Sequence, residues 1–429
     1  MPTHTVRRAL TGAFIVLCLS PTTARAAGFA LFEHGARGMG FAGAYTAQAA
    51  DPSAIFHNAA GLAFLKGKQI YLGGTVVAPS VEFAGDDPFP GVGVTEDGDA
   101  GIAIPPAVYY SQSVGDRAAF GIGVNVPFGL KSAWARPDDF SGRFISQVAE
   151  LTGFSINPTV AFKLADRLAV GGGVDIRLSS VTLERRVPVF NPFALGQVVD
   201  AAQVVLESDT ATGIGFNLGL LAKPSESISV GASYRHGVDI DYEGDATFTQ
   251  LPTGNSQLDQ RLAVALPQGA LPVTTGIDFP AQGSVGVAWA RGDWTVEADV
   301  NWYGWSSFER VVLDFEDDEL DEVIEEEYDD SMQYRIGIEK SFGTWALRGG
   351  YFFDESPAPS ASVSPLLPDA DRHGIALGGS YVSGHWKVDA ASWLVLSPDR
   401  STEGANRDNY NGTYNNGAIT FGLSVGYVF

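Results

Sequence analysis

The chain has 429 residues, 27 Lys and Arg against 50 Asp and Glu, and a formal net charge of −23. That acidity disfavours a polyanionic partner, so nucleic acid is excluded. After the N-terminal leader no stretch reaches about 18 consecutive apolar residues, which excludes a transmembrane helix and leaves a closed barrel as the remaining way to cross a bilayer.

Residues 1–26 read as a secretory signal. Arg7 and Arg8 form its basic start, Ala9 to Ser20 its apolar run, and Ala24-Arg25-Ala26 its cleavage site. The leader carries three Arg (Arg7, Arg8, Arg25) and no acid, so its removal takes the charge from −23 to −26. It also removes Cys18, the single cysteine, so a disulfide scaffold is excluded. Leu17 before Cys18 is too large for a lipoprotein site.

Residues 27–66 follow. The stretch Gly28 to Ala63 is rich in Gly and Ala, has little charge, and keeps neither a period of 2 nor one of 3.6. Such a segment orders only by packing inside something larger.

From residue 67 to 429 the pattern is period 2. In the last segment Ile419, Phe421, Leu423, Val425, Tyr427 and Phe429 share one face, and Thr420, Gly422, Ser424 and Gly426 the other. Strands are expected at 68–83, 102–113, 117–128, 150–164, 167–186, 212–222, 227–243, 279–291, 293–312, 332–342, 344–353, 372–383, 385–396 and 416–429. Short connections (Val114–Asp116, Ala165–Asp166, Lys223–Glu226, Gly292, Gly343, Gly384) alternate with long ones near 84–101, 129–149, 187–211, 244–278, 313–331, 354–371 and 397–415. A soluble sandwich has no reason to alternate loop length in this way. An outer-membrane barrel does, with short turns on one rim and long loops on the other. The expectation is therefore all-β: a 14-stranded antiparallel transmembrane barrel with both ends on the short-turn side. Tyr109, Tyr110, Trp302, Trp305, Tyr351, Phe352, Phe353, Trp386 and Trp393 lie near strand ends, as interfacial girdles would. Asp175, Arg177, Glu297, Asp299, Arg335, Glu339, Lys387 and Asp389 fall on the inward face. Charges there must pair or meet water, and they read as a bracing network.

The irregular segment and several later motifs together resemble the FadL family of long-chain fatty-acid and hydrocarbon transporters. The resemblance rests on Ala27-Gly28-Phe29, Gly35, Gly38, Gly40, Ala42, Ala44-Tyr45, Asp51, Ile55, Asn58 and Gly61-Leu62. It continues through Phe120-Gly-Ile-Gly to Phe128-Gly-Leu, Ser141-Gly-Arg-Phe144, Ile156-Asn-Pro-Thr-Val-Ala161, and Tyr351 to Pro357 with Leu367-Pro-Asp369 and Asp371-Arg372. It implies that residues 27–66 form a hatch inside a barrel of residues 67–429. It implies an inward kink in the third strand that opens a lateral exit into the membrane. The family's Asn-Pro-Ala hatch motif near that kink reads here Asn58-Ala59-Ala60, without the Pro that would fix φ. Gly121 and Gly123 are the candidate marks of the kink, or else small residues packed under the hatch. The terminal Phe429 is similar to the signal read by the barrel assembly machinery. Other expected partners are an apolar small-molecule ligand and outer-membrane lipid and lipopolysaccharide; a monomer is expected.

Such a ligand needs a greasy passage and, for a fatty acid, a cationic anchor. Candidate walls are Phe29, Leu31, Phe128, Leu130, Trp134, Phe144, Tyr303, Trp305 and Phe308, each with packing or girdle as its alternative. Candidate anchors are Arg143 and Arg310, with a rim ion pair as the alternative. The acidic run Asp314 to Asp330 lacks the spacing of an EF-hand and reads as a solvated external loop, with cation-bridged lipopolysaccharide as the alternative. No metal or other cofactor is called for. An outer-membrane lipid hydrolase and a general porin are the competing classes. None of His34, His57, His236, His373 and His385 lies in a G-x-S-x-G setting, and an open porin has no use for a plug.

Overall fold

The computed structural model describes residues 28–194 and 196–429; the leader and Ala27 lie outside the described residues. Fourteen antiparallel strands form a closed barrel. In chain order they are Lys68–Gly85, Pro106–Val114, Ala118–Asn125, Val148–Ala165, Leu168–Phe190, a sixth in two pieces (Val198–Ser208, Ala211–Ala222), a seventh (Ile228–Arg235, Val238–Gln250), an eighth (Ala270–Phe279, Gln282–Arg291), then Trp294–Tyr303, Ser331–Phe342, Trp345–Asp354, Arg372–Ser383, Trp386–Leu396 and Gly412–Val428. The first strand pairs with the fourteenth from Gln69↔Val428 to Gly85↔Gly412, which closes the barrel and removes its free edges.

The period-2 pattern is the physical cause of the wall. In the last strand Ile419, Phe421 and Leu423 are 60%, 52% and 48% exposed, while Thr420 and Ser424 are 1% and 2%. The apolar face thus points outward, inverted relative to a soluble sandwich, as a bilayer requires. Short turns use Gly where the chain reverses; Gly343 and Gly384 take φ of 72° and 58°. Among the described residues no helix is long and apolar enough to cross a membrane. Of the rings expected as a girdle, Trp302, Tyr351 and Trp386 are exposed, as a girdle requires. The expectation fails for Tyr109, Phe352 and Trp393, which are buried because their parity turns them inward, and for Trp305, which a 3₁₀ turn after the ninth strand places in the buried cluster around Phe29.

Several strands run past their expected ends. The fifth has 23 residues, far more than the roughly 9–11 that cross a bilayer. Its upper part pairs with Val198–Ser208, inside a stretch expected as loop. The long connection before the eighth strand carries a helix, Ser256–Ala265, capped by the Asn255 side chain and docked through Leu258 and Leu262 near Ala201.

Residues 28–65 lie against the inner wall. Their short helices (Ala36–Gly40, Ala54–His57) and the 3₁₀ turn Ala59–Phe64 are almost wholly buried. The wall meets them with glycine, and the reason is space. A Cβ added at Gly171 of the fifth strand would stand 2.5 Å from the Ala59 carbonyl carbon, and one at Gly337 of the tenth strand 2.6 Å from the Phe41 oxygen. Polar wall groups then satisfy backbone that has no partner of its own. The Trp393 indole donates to Met39 O at 2.7 Å, the Arg335 guanidinium to Ala42 O at 2.9 Å, and Asn217 Nδ2 to Ile55 O at 3.2 Å.

Candidate functional site

Between this segment and the long-loop side lies a cavity of about 220 Å³. Phe29, Leu31 and Phe32 form one wall. Val77 and Pro79 to Val81 of the first strand and Leu130 to Ala133 form another, and Phe352, Trp393, Val395 and Ala418 close the far side. Tyr328, Leu367 and Pro368 reach in from two long loops. Beneath it Phe29 sits in an aromatic cluster, with ring centroids 4.7 Å from Trp305, 5.5 Å from Phe308, and 6.1 Å from both Phe128 and Phe279. Contacts of this kind contribute beyond area burial. Phe29→Ala is expected to cost roughly 3–5 kcal/mol of local packing. The check is a lower temperature for the heat-induced shift of the barrel band on gels, together with weaker retention of a hydrophobic probe.

One side of the cavity meets a break in the barrel wall. The second and third strands pair from Val114↔Ala118 to Val108↔Val124. Past Asn125 the chain turns inward. Pro127 has no N–H to offer a neighbouring strand, and the next residues bond to the N-terminal segment instead. Leu31 N–H donates to Pro127 O at 2.9 Å and Gly129 N–H to Phe29 O at 3.1 Å. Pairing with the second-strand side resumes only where Asp99 N–H meets Ala133 O at 2.8 Å. Gly98 and Ala100 on one edge and Leu130 to Ala133 on the other line both the break and the cavity. Ile102 and Ile104 stand exposed beside it.

The expected site residues separate into groups. Phe29, Leu31, Leu130 and Trp134 line the cavity. Phe128, Tyr303, Trp305 and Phe308 lie in the aromatic cluster around Phe29 rather than on the cavity surface. Phe144 is elsewhere, under the Arg143 guanidinium at 4.4 Å. Neither expected anchor reaches the cavity. Arg143 is held bidentately by Asp200, with Nε 3.1 Å from both carboxylate oxygens. Arg310 is exposed on a hairpin opposite Glu325. Gly121 and Gly123 do not mark the kink. They lie in the regular part of the third strand with Ile55 and Leu62 packed on Gly121 and Ile55 on Gly123, and the bend is at Val126–Gly129. Asn58-Ala59-Ala60 docks on the fifth and sixth strands rather than at that bend. Asn58 Nδ2 donates to Thr46 O and Leu220 O, and its Oδ1 accepts from Ala60 N–H. The missing Pro is thus offset by a side chain that ties the turn to itself and to the wall.

The inward charges stand as expected, all buried except the half-buried Lys387. They pair closely: Arg235 and Arg177 with Asp175 at 2.7 and 3.1 Å, and Arg348 with Glu339 and Asp389 at 2.7 and 3.2 Å. The cavity's own charged groups, Glu33, Lys131, Asp354, Asp369, Arg335 and Arg372, include only one the inward-face pattern marked, Arg335. The acidic run is more than a solvated loop: it supplies the strand Glu322–Glu325, the cavity residue Tyr328 and the buried Glu326, whose carboxyl burial pushes well above the usual range. Among the described residues no cluster of three or more His, Cys, Asp or Glu is placed to hold a metal ion.

Residues 16–429 match the family described as "Outer membrane protein transport protein (OMPP1/FadL/TodX)". The chain is 22% identical to the long-chain fatty acid transport protein of Escherichia coli O6:H1, covering 97% of each chain. It is 25% identical to outer membrane protein P1 of Haemophilus influenzae Rd, covering 85% of this chain and 84% of that one. In fold it is similar to a Pseudomonas aeruginosa FadL homologue (TM-score 0.80, 21% identity, 94% of this chain and 100% of that one) and to the Pseudomonas putida toluene transporter TodX (TM-score 0.70, 18% identity, 93% and 99%).

Proposed function

The chain belongs to the OMPP1/FadL/TodX family of outer membrane transport proteins, and we propose that it is a passive channel carrying hydrophobic molecules across the outer membrane of a Gram-negative cell. The observation that carries this reading is the continuity of an apolar cavity with a break in the lipid-facing wall. A hydrophobe leaving water gains about 25 cal/mol for each Å² it buries. It can therefore enter the cavity from the long-loop side and move sideways into the membrane through the break, without crossing the polar lower lumen. Residues 27–66 act as the hatch that keeps that lower lumen shut, and residues 67–429 as the barrel. Phe429, exposed at the end of the closing strand, is the group offered to the assembly machinery. Names of relatives fit both a fatty acid and an aromatic hydrocarbon as cargo.

The test uses purified protein in liposomes. Saturable entry of labelled dodecane, toluene or oleate, without swelling in sugars, is the expected result. Sugar swelling at porin rates with no saturable entry would overturn it. Bulky substitutions at the break, Ala100→Trp and Ala133→Trp, are expected to slow entry more than they weaken binding to detergent-solubilised protein. Equal loss of both would remove the lateral route.

A further inference from the structure

We infer that the cavity is a charge filter selecting uncharged, compact hydrophobes, because each cation that lines it is already paired with a carboxylate of the protein. The inference rests on the channel reading above and names its cargo.

Three cations line the cavity: Lys131, Arg335 and Arg372. Lys131 is exposed and pairs with Glu150 at 2.8 Å across the neighbouring strand. Arg335 is deeply buried. Its Nη2 meets both oxygens of Asp354 at 2.9 and 3.0 Å and Gln333 at 2.9 Å, and its Nη1 meets Ala42 O. The guanidinium lies 4.0 Å from the Phe32 ring centroid and 4.9 Å from that of Phe352, and Nε is its one nitrogen without a partner. A carboxylate seeks a two-pronged seat, not a single hemmed N–H. Arg372 spends Nη2 on Gly28 O at 2.7 Å and Asp369 at 3.1 Å; among the described residues its Nε and Nη1 have no partner, so what a ligand carboxylate meets there is a guanidinium whose charge Asp369 already offsets.

A third carboxylate, Glu33, then faces the same end. Its carboxyl accepts the Phe32 N–H, at 2.8 Å, and its own backbone N–H, and among the described residues it forms no ion pair. Glu33, Asp354 and Asp369 thus stand against two arginines. Burial raises the Glu33 carboxyl above the ordinary range while Arg335 and Arg372 pull it back. In either protonation state no arginine is released. A fatty acid bringing a further carboxylate would have to desolvate it beside three acids. A neutral guest meets only the rings and aliphatic walls.

The volume points the same way. A dry cavity of about 150 Å³ holds benzene, and drug-sized ligands take about 300 Å³ or more. At about 220 Å³ the cavity fits one or two fused rings or a short alkane better than a complete long acyl chain.

Naphthalene and 2-naphthoate differ only by the carboxylate, and both fluoresce. Titrated into the purified protein, naphthalene is expected to bind at least about tenfold more tightly than 2-naphthoate. Glu33→Gln and Asp369→Asn, each nearly isosteric, are expected to narrow that ratio, the second by freeing Arg372. Equal or tighter binding of 2-naphthoate by the unaltered protein overturns the filter but leaves the channel standing, provided liposome entry remains saturable. An unchanged ratio in both variants also overturns it, because the carboxylates would then not be the cause of selectivity. If neither probe binds nor enters liposomes, the channel reading falls and the filter with it.

Discussion

Asp299→Leu is expected to unseat the N-terminal segment and turn a closed barrel into a leaky one. Four consecutive backbone N–H groups of that segment point at two buried carboxylates of the ninth strand. Tyr45 and Thr46 donate to Asp299 at 2.9 Å each, and Ala47 and Gln48 donate to Glu297 at 2.5 and 3.3 Å. Among the described residues neither carboxylate forms an ion pair with a basic side chain, so these amides are what compensates the buried acids. Leucine has about the right size but accepts nothing, and two buried amides would be stranded at about 1–3 kcal/mol each. The barrel ladders on either side of the ninth strand run from Trp294 to Tyr303 without using that side chain, so the wall should survive. The expected outcome is swelling of liposomes in small sugars and protease cleavage near residues 45–50, with the heat-induced gel shift retained. Asp299→Asn keeps one acceptor oxygen and should leak less. Liposomes that stay sugar-tight with Asp299→Leu would end the gating role assigned to these carboxylates.

The barrel was legible in the sequence because its two signals are local. Alternation along Ile419–Phe429 needs only neighbours two apart, and the short turns are marked by single residues such as Gly343 and Gly384. The site was less legible because its decisive contacts join distant parts of the chain. Arg143 looked like an anchor beside Phe144, but its partner Asp200 lies 57 residues on, in a stretch expected as loop that continues the sixth strand. Arg310 fell inside the strand expected at 293–312, whereas the ninth strand ends at Tyr303 and a 3₁₀ turn at Trp305–Ser307 separates it from the hairpin that carries Arg310. For Gly121 and Gly123 the sequence left open a kink or packing under the hatch, and the second holds, with Ile55 and Leu62 pressed on them. The residue that did signal the bend was Pro127, which cannot donate to a ladder. Asp369 and Arg372 were visible only through the family resemblance, and nothing local showed that their loop folds over the cavity. Glu33 sat in a segment with no period at all, so no pattern could say which way it points.

Arg348→Met is expected to be the most destabilising change in the inner network. The Arg348 side chain is fully buried (0% exposed). Its Nε donates to Glu339 at 2.7 Å, its Nη1 to Asp389 at 3.2 Å, and its Nη2 to Ser380 at 2.5 Å, so one guanidinium links the tenth, twelfth and thirteenth strands. Methionine would preserve much of the stem that packs near Gly40 of the N-terminal segment. It would leave two buried acids to weaker neighbours. Glu339 would keep Arg37 at 3.5 Å, and Asp389 would keep Lys387 at 3.3 Å and the Tyr71 hydroxyl at 3.1 Å. Breaking a buried pair from one side typically costs about 3–5 kcal/mol, since a charge is left uncompensated in a low dielectric. The measurement is the temperature at which the folded barrel band is lost on gels, expected to fall by several degrees. Removing one stranded acid as well, in Arg348→Met with Glu339→Gln, should restore part of the loss, because groups sharing a partner are not additive. Strict additivity of the two substitutions would mean that Arg348 acts through packing alone. The inner charges would then be independent pairs, and the grip of the wall on the segment at Ala36–Gly40 would rest on close packing without electrostatic help.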